Sequence, residues 1–160
     1  RVRSAAASIV YKRQVVDLGA GTGYFSFPIA VQLTAGRLLA VDIEPKMLRL
    51  IEQRKLVDGV QNIDTVLASE QSPNLPDASV DLVLLVDAYH EFSYPRVVMS
   101  GVVKALKPGA RVILVEYRGE DNSVPIKPLH KMTQKQAKKE MRAVGLQGTR
   151  TANYLPQSKV

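Results

Sequence analysis

Asp17, three glycines at 19, 21 and 23, and Asp42 are the residues of this chain whose types and spacing bear most directly on chemistry. Asp17 follows the apolar pair Val15-Val16 and stands just before Gly19-Ala20-Gly21-Thr22-Gly23, and Asp42 ends a second apolar run, Leu38-Leu39-Ala40-Val41. An apolar run ending in an acid, a glycine turn, and a second run ending in an acid form the layout of a nucleotide-type cofactor site at the first crossover of an α/β sheet. The glycines permit a tight turn and close backbone approach to a ligand. An ionised Asp42 offers acceptors only, which suits two ribose hydroxyls, and Ile43 beside it could pack on an adenine face. The alternative for Asp42 is an acid placed at the N-terminus of the following helix. Asp17 selects the charge of the cofactor: where a dinucleotide enzyme holds a pyrophosphate, a carboxylate repels the anion, whereas a cationic cofactor with an amino-acid tail accepts it. The dinucleotide spacing G-x-G-x-x-G would also need glycine at 24, where Tyr24 stands.

A second cluster, Asp87-Ala88-Tyr89-His90-Glu91-Phe92, offers carboxylates, a phenol and an imidazole. His90 is the best single candidate for a general base because its unperturbed pKa lies near neutrality; its structural alternative is to brace the next helix. Tyr89 either lines a substrate site or packs. Glu116 and Tyr117 end a later strand and are candidates to face the same cleft. His130 lies with Lys127 and Lys131 in the connection Gly119–Met132, which either covers an anionic substrate or is a basic surface loop. With two histidines and no cysteine, disulfides and cysteine-based metal sites are excluded, and the histidines are too few for a metal site without help from carboxylates. No metal is expected.

The elements that must position these groups are read from periodicity. Gln14–Leu18, Arg37–Val41, Asp64–Leu67, Val80–Val86 and Arg111–Tyr117 read as strands, the fourth apolar enough for a centre buried on both faces. Phe25–Leu33, Pro45–Leu56 and Tyr94–Leu106 read as helices, with Pro28 tolerable only in a first turn and Lys107-Pro108-Gly109 as a stop. A fourth helix begins at Thr133, where Gln136 completes the spacing of a capping box, and Gly145 marks its end. Leu146–Asn153 is a candidate sixth strand. Alternation of this kind implies a Rossmann-like, doubly wound α/β fold, a mostly parallel sheet with helices on both faces, whose ligands bind at the C-terminal strand ends.

The length predicts one domain over residues 1–160. The chain opens at Arg1 rather than Met and leaves no readable seventh strand, so both ends are expected to be truncated. No apolar run approaches a membrane span, and the lack of cysteine is compatible with the cytoplasm, the expected location. The net charge is +7. Its excess lies in the C-terminal part, which suggests a nucleic-acid or anion-attracting face or, more simply, a solvated helix face.

Val15–Phe25, followed by Ala40-Val41-Asp42-Ile43-Glu44-Pro45-Lys46-Met47-Leu48, resembles the class I S-adenosylmethionine-dependent methyltransferases, and most of all the small bacterial type 11 enzymes. Leu75-Pro76-Asp77-Ala78-Ser79-Val80-Asp81-Leu82-Val83 resembles their approach to strand 4, and Leu106-Lys107-Pro108-Gly109 their entry to strand 5. The resemblance implies S-adenosylmethionine as methyl donor and S-adenosylhomocysteine as product. It implies that Asp17 and the backbone of Gly19, Ala20, Gly21 and Gly23 hold the methionine portion, that Asp42 binds ribose, and that Ile43 contacts adenine. Ser69 or Glu70 would lie near the adenine amino group, although the family often has Gly-Asp-Ala where this chain has Ala68-Ser69-Glu70. Asp87 would meet the methionine end. Asp87-Ala88-Tyr89-His90 lacks the two prolines and aromatic residue of the amino-methyltransferases, which argues against base-amine or glutamine-amide methylation. The expected acceptor is therefore a small molecule, with His90 and Tyr89 as catalytic candidates. The alternatives are a nucleic-acid methyltransferase using the basic C-terminal part, for which no RNA-binding motif is found, and a non-catalytic S-adenosylmethionine-binding protein.

Overall fold

The computed structural model describes residues 13–123 and 125–152. Five strands form one parallel sheet: β1 (Gln14–Leu18), β2 (Arg37–Asp42), β3 (Ile63–Leu67), β4 (Val80–Val86) and β5 (Leu106–Val115), in the order β3-β2-β1-β4-β5. The chain runs outward from β1 to β3 and then returns to pair β4 with the other side of β1. The strand order therefore reverses between β1 and β4, which places the ligand crevice at their C-terminal ends.

Strand side chains alternate between faces, and the core divides accordingly. Val15, Leu38 and Ala40 pack on one face with Phe27, Ala30 and Leu33 around α1 (Ser26–Gln32), and with Leu48 and Ile51 of α2 (Pro45–Asp58). Val16, Leu18, Leu39 and Val41 pack on the other with Val98, Met99 and Val102 of α3 (Pro95–Ala105), and with Ala137 and Met141 of α4 (Gln134–Ala143). The doubly wound expectation holds. Pro28 falls in the first turn of α1, where its missing N–H costs no intrahelical bond. α2 begins at Pro45 and ends against Gly59, whose φ of 68° is left-handed.

Four expectations are corrected at the C-terminal side. The fifth strand starts at Leu106 rather than Arg111. Val80 pairs with Leu106 but Leu82 with Arg111, so Lys107–Ala110 form an irregularity within the strand instead of a stop before it. Asp81 accepts from the Gln14 N–H at 2.8 Å and from Lys107 Nζ at 3.0 Å, fastening that irregularity to β1. Tyr117 leaves the main sheet: β6 (Tyr117–Arg118) pairs in parallel with β7 (Lys131–Met132), so the long connection is closed at its base by a two-stranded ladder. The expected sixth strand does not form over residues 146–152, where Leu146 packs on the core instead, and Asn153 lies outside the described residues. At α4, the Thr133 hydroxyl accepts from the Gln136 N–H, but the Gln136 amide turns to Glu140, so only one arm of the capping box is made. Lys135, Lys138, Lys139 and Arg142 form the exposed face of that helix. No described helix is long and apolar enough to cross a membrane.

Candidate active site

The C-terminal ends of all five strands meet along one edge, and the residues singled out in the sequence lie there. The glycine turn between β1 and α1 has its three glycines at φ 81°, 54° and 83°. Four of its backbone donors are already engaged. Gly19 and Ala20 donate to the Val41 carbonyl at 2.8 and 3.1 Å, Gly23 donates to the Ala20 carbonyl at 2.9 Å, and Gly21 donates to Asp42 Oδ2 at 2.8 Å. The other Asp42 oxygen, Oδ1, accepts from the Glu44 N–H at 2.9 Å. A carboxylate has about four lone-pair sites, so each Asp42 oxygen retains capacity for one further donor. Ile43 is 58% exposed next to it, an apolar side chain that the core does not claim.

These observations test whether the edge fits the cofactor that the sequence suggests. A pyrophosphate needs free backbone N–H donors at such a loop, and those of Gly19, Ala20, Gly21 and Gly23 are spent within the protein. Beside them stand acceptors: the residual capacity of Asp42, and the exposed carboxylates of Glu70 and Asp87. A Cβ added to Gly21 would meet nothing within 4 Å, so the turn borders open space at this point. An acceptor-rich edge with an open cradle and an exposed aliphatic side chain fits a positively charged adenosyl cofactor bearing ribose hydroxyls.

Asp17 is placed differently from its neighbours. It is 2% exposed and accepts a 2.6 Å hydrogen bond from the Ser26 hydroxyl in the first turn of α1. Burial raises its pKa above the usual carboxylate range, the Ser26 hydrogen bond works in the opposite direction, and the charge of Asp42 adds to the rise. In folded protein the proton therefore leaves at higher pH than in unfolded chain. Between the two values the folded state holds a proton the unfolded state has lost, so stability falls as pH rises through that window. Asp17→Asn keeps an acceptor for Ser26 and removes the charge. It should melt at higher temperature than wild type at pH 7, with the gap closing as pH is lowered through the carboxylate range. Melting curves from pH 3 to 8 measure this, and an equal or lower melting temperature at pH 7 would contradict it.

Ser69 and Glu70 follow β3 on an exposed turn in which the Ser69 N–H donates to the Ser72 carbonyl. Asp87 follows β4 with φ 50°, a left-handed conformation that is uncommon without glycine. Its N–H is held by the Val115 carbonyl at 2.9 Å.

The acceptor-side candidates separate into two kinds. His90, in a single 3₁₀ turn over Tyr89–Glu91, has Nδ1 2.7 Å from Glu116 Oε2 and Nε2 3.1 Å from His130 Nδ1. Glu116 Oε1 accepts the Tyr89 N–H at 2.9 Å, so one glutamate at the end of β5 fixes both the backbone and the ring of the turn after β4. An ionised carboxylate only accepts, so Nδ1 carries the proton and Nε2 presents its lone pair. The His90 and Glu116 side chains are only 7% and 6% exposed, which keeps this pair out of bulk water.

Tyr89, considered beside His90 as a catalytic group, is instead a buried strut. Its ring lies edge-on to Phe92 with centroids 5.5 Å apart, and its hydroxyl donates to Glu140 Oε2 of α4 at 2.8 Å. Burial first, then Glu140 and Glu116, push its pKa well above the ordinary phenol value. A phenol so placed holds its proton rather than exchanging it. Two features were not visible in the sequence: the orienting role of Glu116, and the contact between His90 and His130, which are 40 positions apart. Short-range spacing carries no signal for either.

The strand order, the glycine turn and the two strand-terminal acids define the class I methyltransferase architecture. The chain belongs to the methyltransferase domain family of type 11, whose model matches residues 16–114. It is 32% identical over 111 residues to an uncharacterized methyltransferase-like protein of Schizosaccharomyces pombe, covering 69% of this chain and 40% of that protein. It is also 32% identical over 104 residues to a demethylmenaquinone methyltransferase of Tropheryma whipplei, covering 65% and 41% of the two. A SAM-dependent methyltransferase from Aquifex aeolicus shares the fold at a TM-score of 0.78 with 18% identity, over 89% of this chain and 78% of that one. The chain thus spans about two fifths of the length of these curated relatives.

Proposed function

We propose that residues 1–160 form a single methyltransferase domain that binds S-adenosylmethionine and transfers its methyl group to a small-molecule acceptor. The observation that carries this reading is the spent set of backbone donors at Gly19, Ala20, Gly21 and Gly23, beside acids that still accept. Family membership supports the same cofactor. In this reading Asp42 takes the ribose hydroxyls, Ile43 covers one adenine face, and Ser69 or Glu70 meets the adenine edge. The Gly19–Gly23 turn and Asp87 border the methionine end, and Asp17 acts from beneath the turn. The relative named for demethylmenaquinone favours a small organic acceptor over nucleic acid.

When bound, the cofactor supplies a methyl group on a positively charged sulfur, already activated for displacement. The chain then has to position the acceptor and take up a proton if the acceptor carries one. His90 is suited to the second task. Glu116 holds Nδ1–H, so Nε2 is the basic position; its contact with His130 Nδ1 has to open for an acceptor to reach it, and the ion pair formed on proton uptake is stabilised by the same carboxylate.

Calorimetry tests the donor half directly. S-adenosylmethionine and S-adenosylhomocysteine should both bind with one site per chain, and NAD should not. NAD binding without any response to S-adenosylhomocysteine would overturn the reading. Salt-sensitive tRNA binding would favour a nucleic-acid acceptor instead.

A further inference from the structure

The same turn brings together groups that the mechanism above uses only in part. His90 Nε2 lies 3.1 Å from His130 Nδ1 and 4.0 Å from Glu91 Oε1, and the three ligand atoms all fall within 4.8 Å of one another. The two rings meet edge-to-face, with centroids 5.2 Å apart and planes at 88°. Two imidazole nitrogens on a tetrahedral zinc ion stand about 3.3 Å apart, given bonds of about 2.0–2.1 Å. The nitrogen pair needs an opening of only a few tenths of an ångström, while the exposed Glu91 carboxylate, 4.0 Å from His90 Nε2, has to swing inward. Behind His90, Glu116 Oε2 receives Nδ1–H at 2.7 Å. That carboxylate–histidine pairing fixes the tautomer and strengthens the outward nitrogen as a ligand.

We infer that His90, His130 and Glu91 form a binding site for a divalent cation of the zinc class, oriented from behind by Glu116. The inference rests on reading the turn after β4 as the acceptor side. It also answers the expectation of no metal, since the carboxylates that two histidines need are present. Two nitrogens and one carboxylate oxygen suit zinc better than magnesium or calcium, which favour all-oxygen sets. Three protein ligands leave a fourth position open, the arrangement of catalytic rather than structural zinc. Zinc held there would make an acceptor hydroxyl in that position more acidic. With zinc held, that proton would pass to solvent, and His90 Nε2 would serve as a ligand rather than as the proton acceptor. Asp87, His90 and Glu116 form an overlapping group, but it would require the His90 nitrogen already committed to Glu116.

Zinc chloride titrated into the full chain tests the inference, because a chain with two histidines and no cysteine has no second imidazole or thiolate site. One equivalent should bind. His130→Ala and Glu91→Gln alter exposed side chains and should each lower zinc affinity at least tenfold. Glu116→Gln should lower it about 10–100-fold. Cobalt in place of zinc should give the intense visible absorption of a four-coordinate site, lost in His130→Ala. Circular dichroism melts establish that each variant folds. Absence of zinc binding, or binding that His130→Ala leaves unchanged in a folded protein, overturns the metal site. S-adenosylhomocysteine titrated in parallel keeps the two readings apart: its binding without zinc binding removes the metal site alone, and zinc binding without it removes the donor site alone.

Discussion

Asp42→Ala should weaken S-adenosylhomocysteine binding by about a hundredfold or more. Two ribose hydroxyls donating to one carboxylate make two charge-assisted hydrogen bonds, each contributing roughly 1.5–3 kcal/mol. Their joint loss, at least about 3 kcal/mol, corresponds to more than two orders of magnitude in affinity. The same carboxylate also clasps the Gly21 N–H and the Glu44 N–H. Alanine therefore frees the turn and the start of α2 as well, and a bound cofactor would have to re-order both. Asp42→Asn separates the contributions. Its amide oxygen can still take one backbone N–H, but its NH₂ then faces the other as donor against donor, so it should fall between wild type and alanine. Calorimetry on the three proteins reads the result, and equal affinity in wild type and alanine would remove Asp42 from the ribose role.

Gly19→Ala should damage the fold itself, lowering the melting temperature by roughly 4–20 °C. A Cβ at Gly19 would lie 2.6 Å from the Ala88 Cβ, and the residue sits at φ 81°. The left-handed conformation costs a side chain about 1–2 kcal/mol, and forcing a methyl into a packed contact adds about 1–3 kcal/mol. At about 2–4 °C per kcal/mol for a domain of this size, the range follows. Ala88→Gly in the same chain should restore the packing share and leave the backbone share, a coupling that a double-mutant cycle isolates. Gly21→Ala gives the contrast: its Cβ meets nothing, so only the conformational cost remains and the protein should fold. That methyl points into the proposed cradle, so cofactor affinity should drop while stability loses only the conformational share. If Gly19→Ala melts within 2 °C of wild type, the close approach of the turn after β1 to the turn after β4 is not as described.

The elements that carry the proposed donor half were legible in the sequence because their determinants are local. A strand, a turn that only glycine permits, and an acid at the next strand end lie within one crossover, and hydrophobic period marks the strands on either side. β1 and β4 begin and end where the apolar runs do. The acceptor half was legible only as a set of reactive residue types. Tyr89 and His90 are adjacent in sequence, yet one is tied to α4 and the other to β5 and His130, and no periodicity distinguishes them. The fifth strand was misread at its start because Lys107-Pro108-Gly109 carries strong turn chemistry, which the ladder with β4 accommodates as an irregularity. The one-armed cap at Thr133 shows a similar limit: the spacing permits a reciprocal bond, but Glu140 competes for the Gln136 amide.

The reversal of strand order between β1 and β4 also acts as a seam in the molecule. Groups proposed to recognise the methyl donor hang mainly from β1, β2 and β3, whereas the imidazole–carboxylate assembly hangs from β4, β5 and the 128–132 arm. Across the seam the sheet is continuous, so the reacting ends stay in register. On either side the turns are anchored to different helices. The 117–132 arm, proposed to lie on the acceptor side, can therefore change without disturbing the turns proposed to hold the donor.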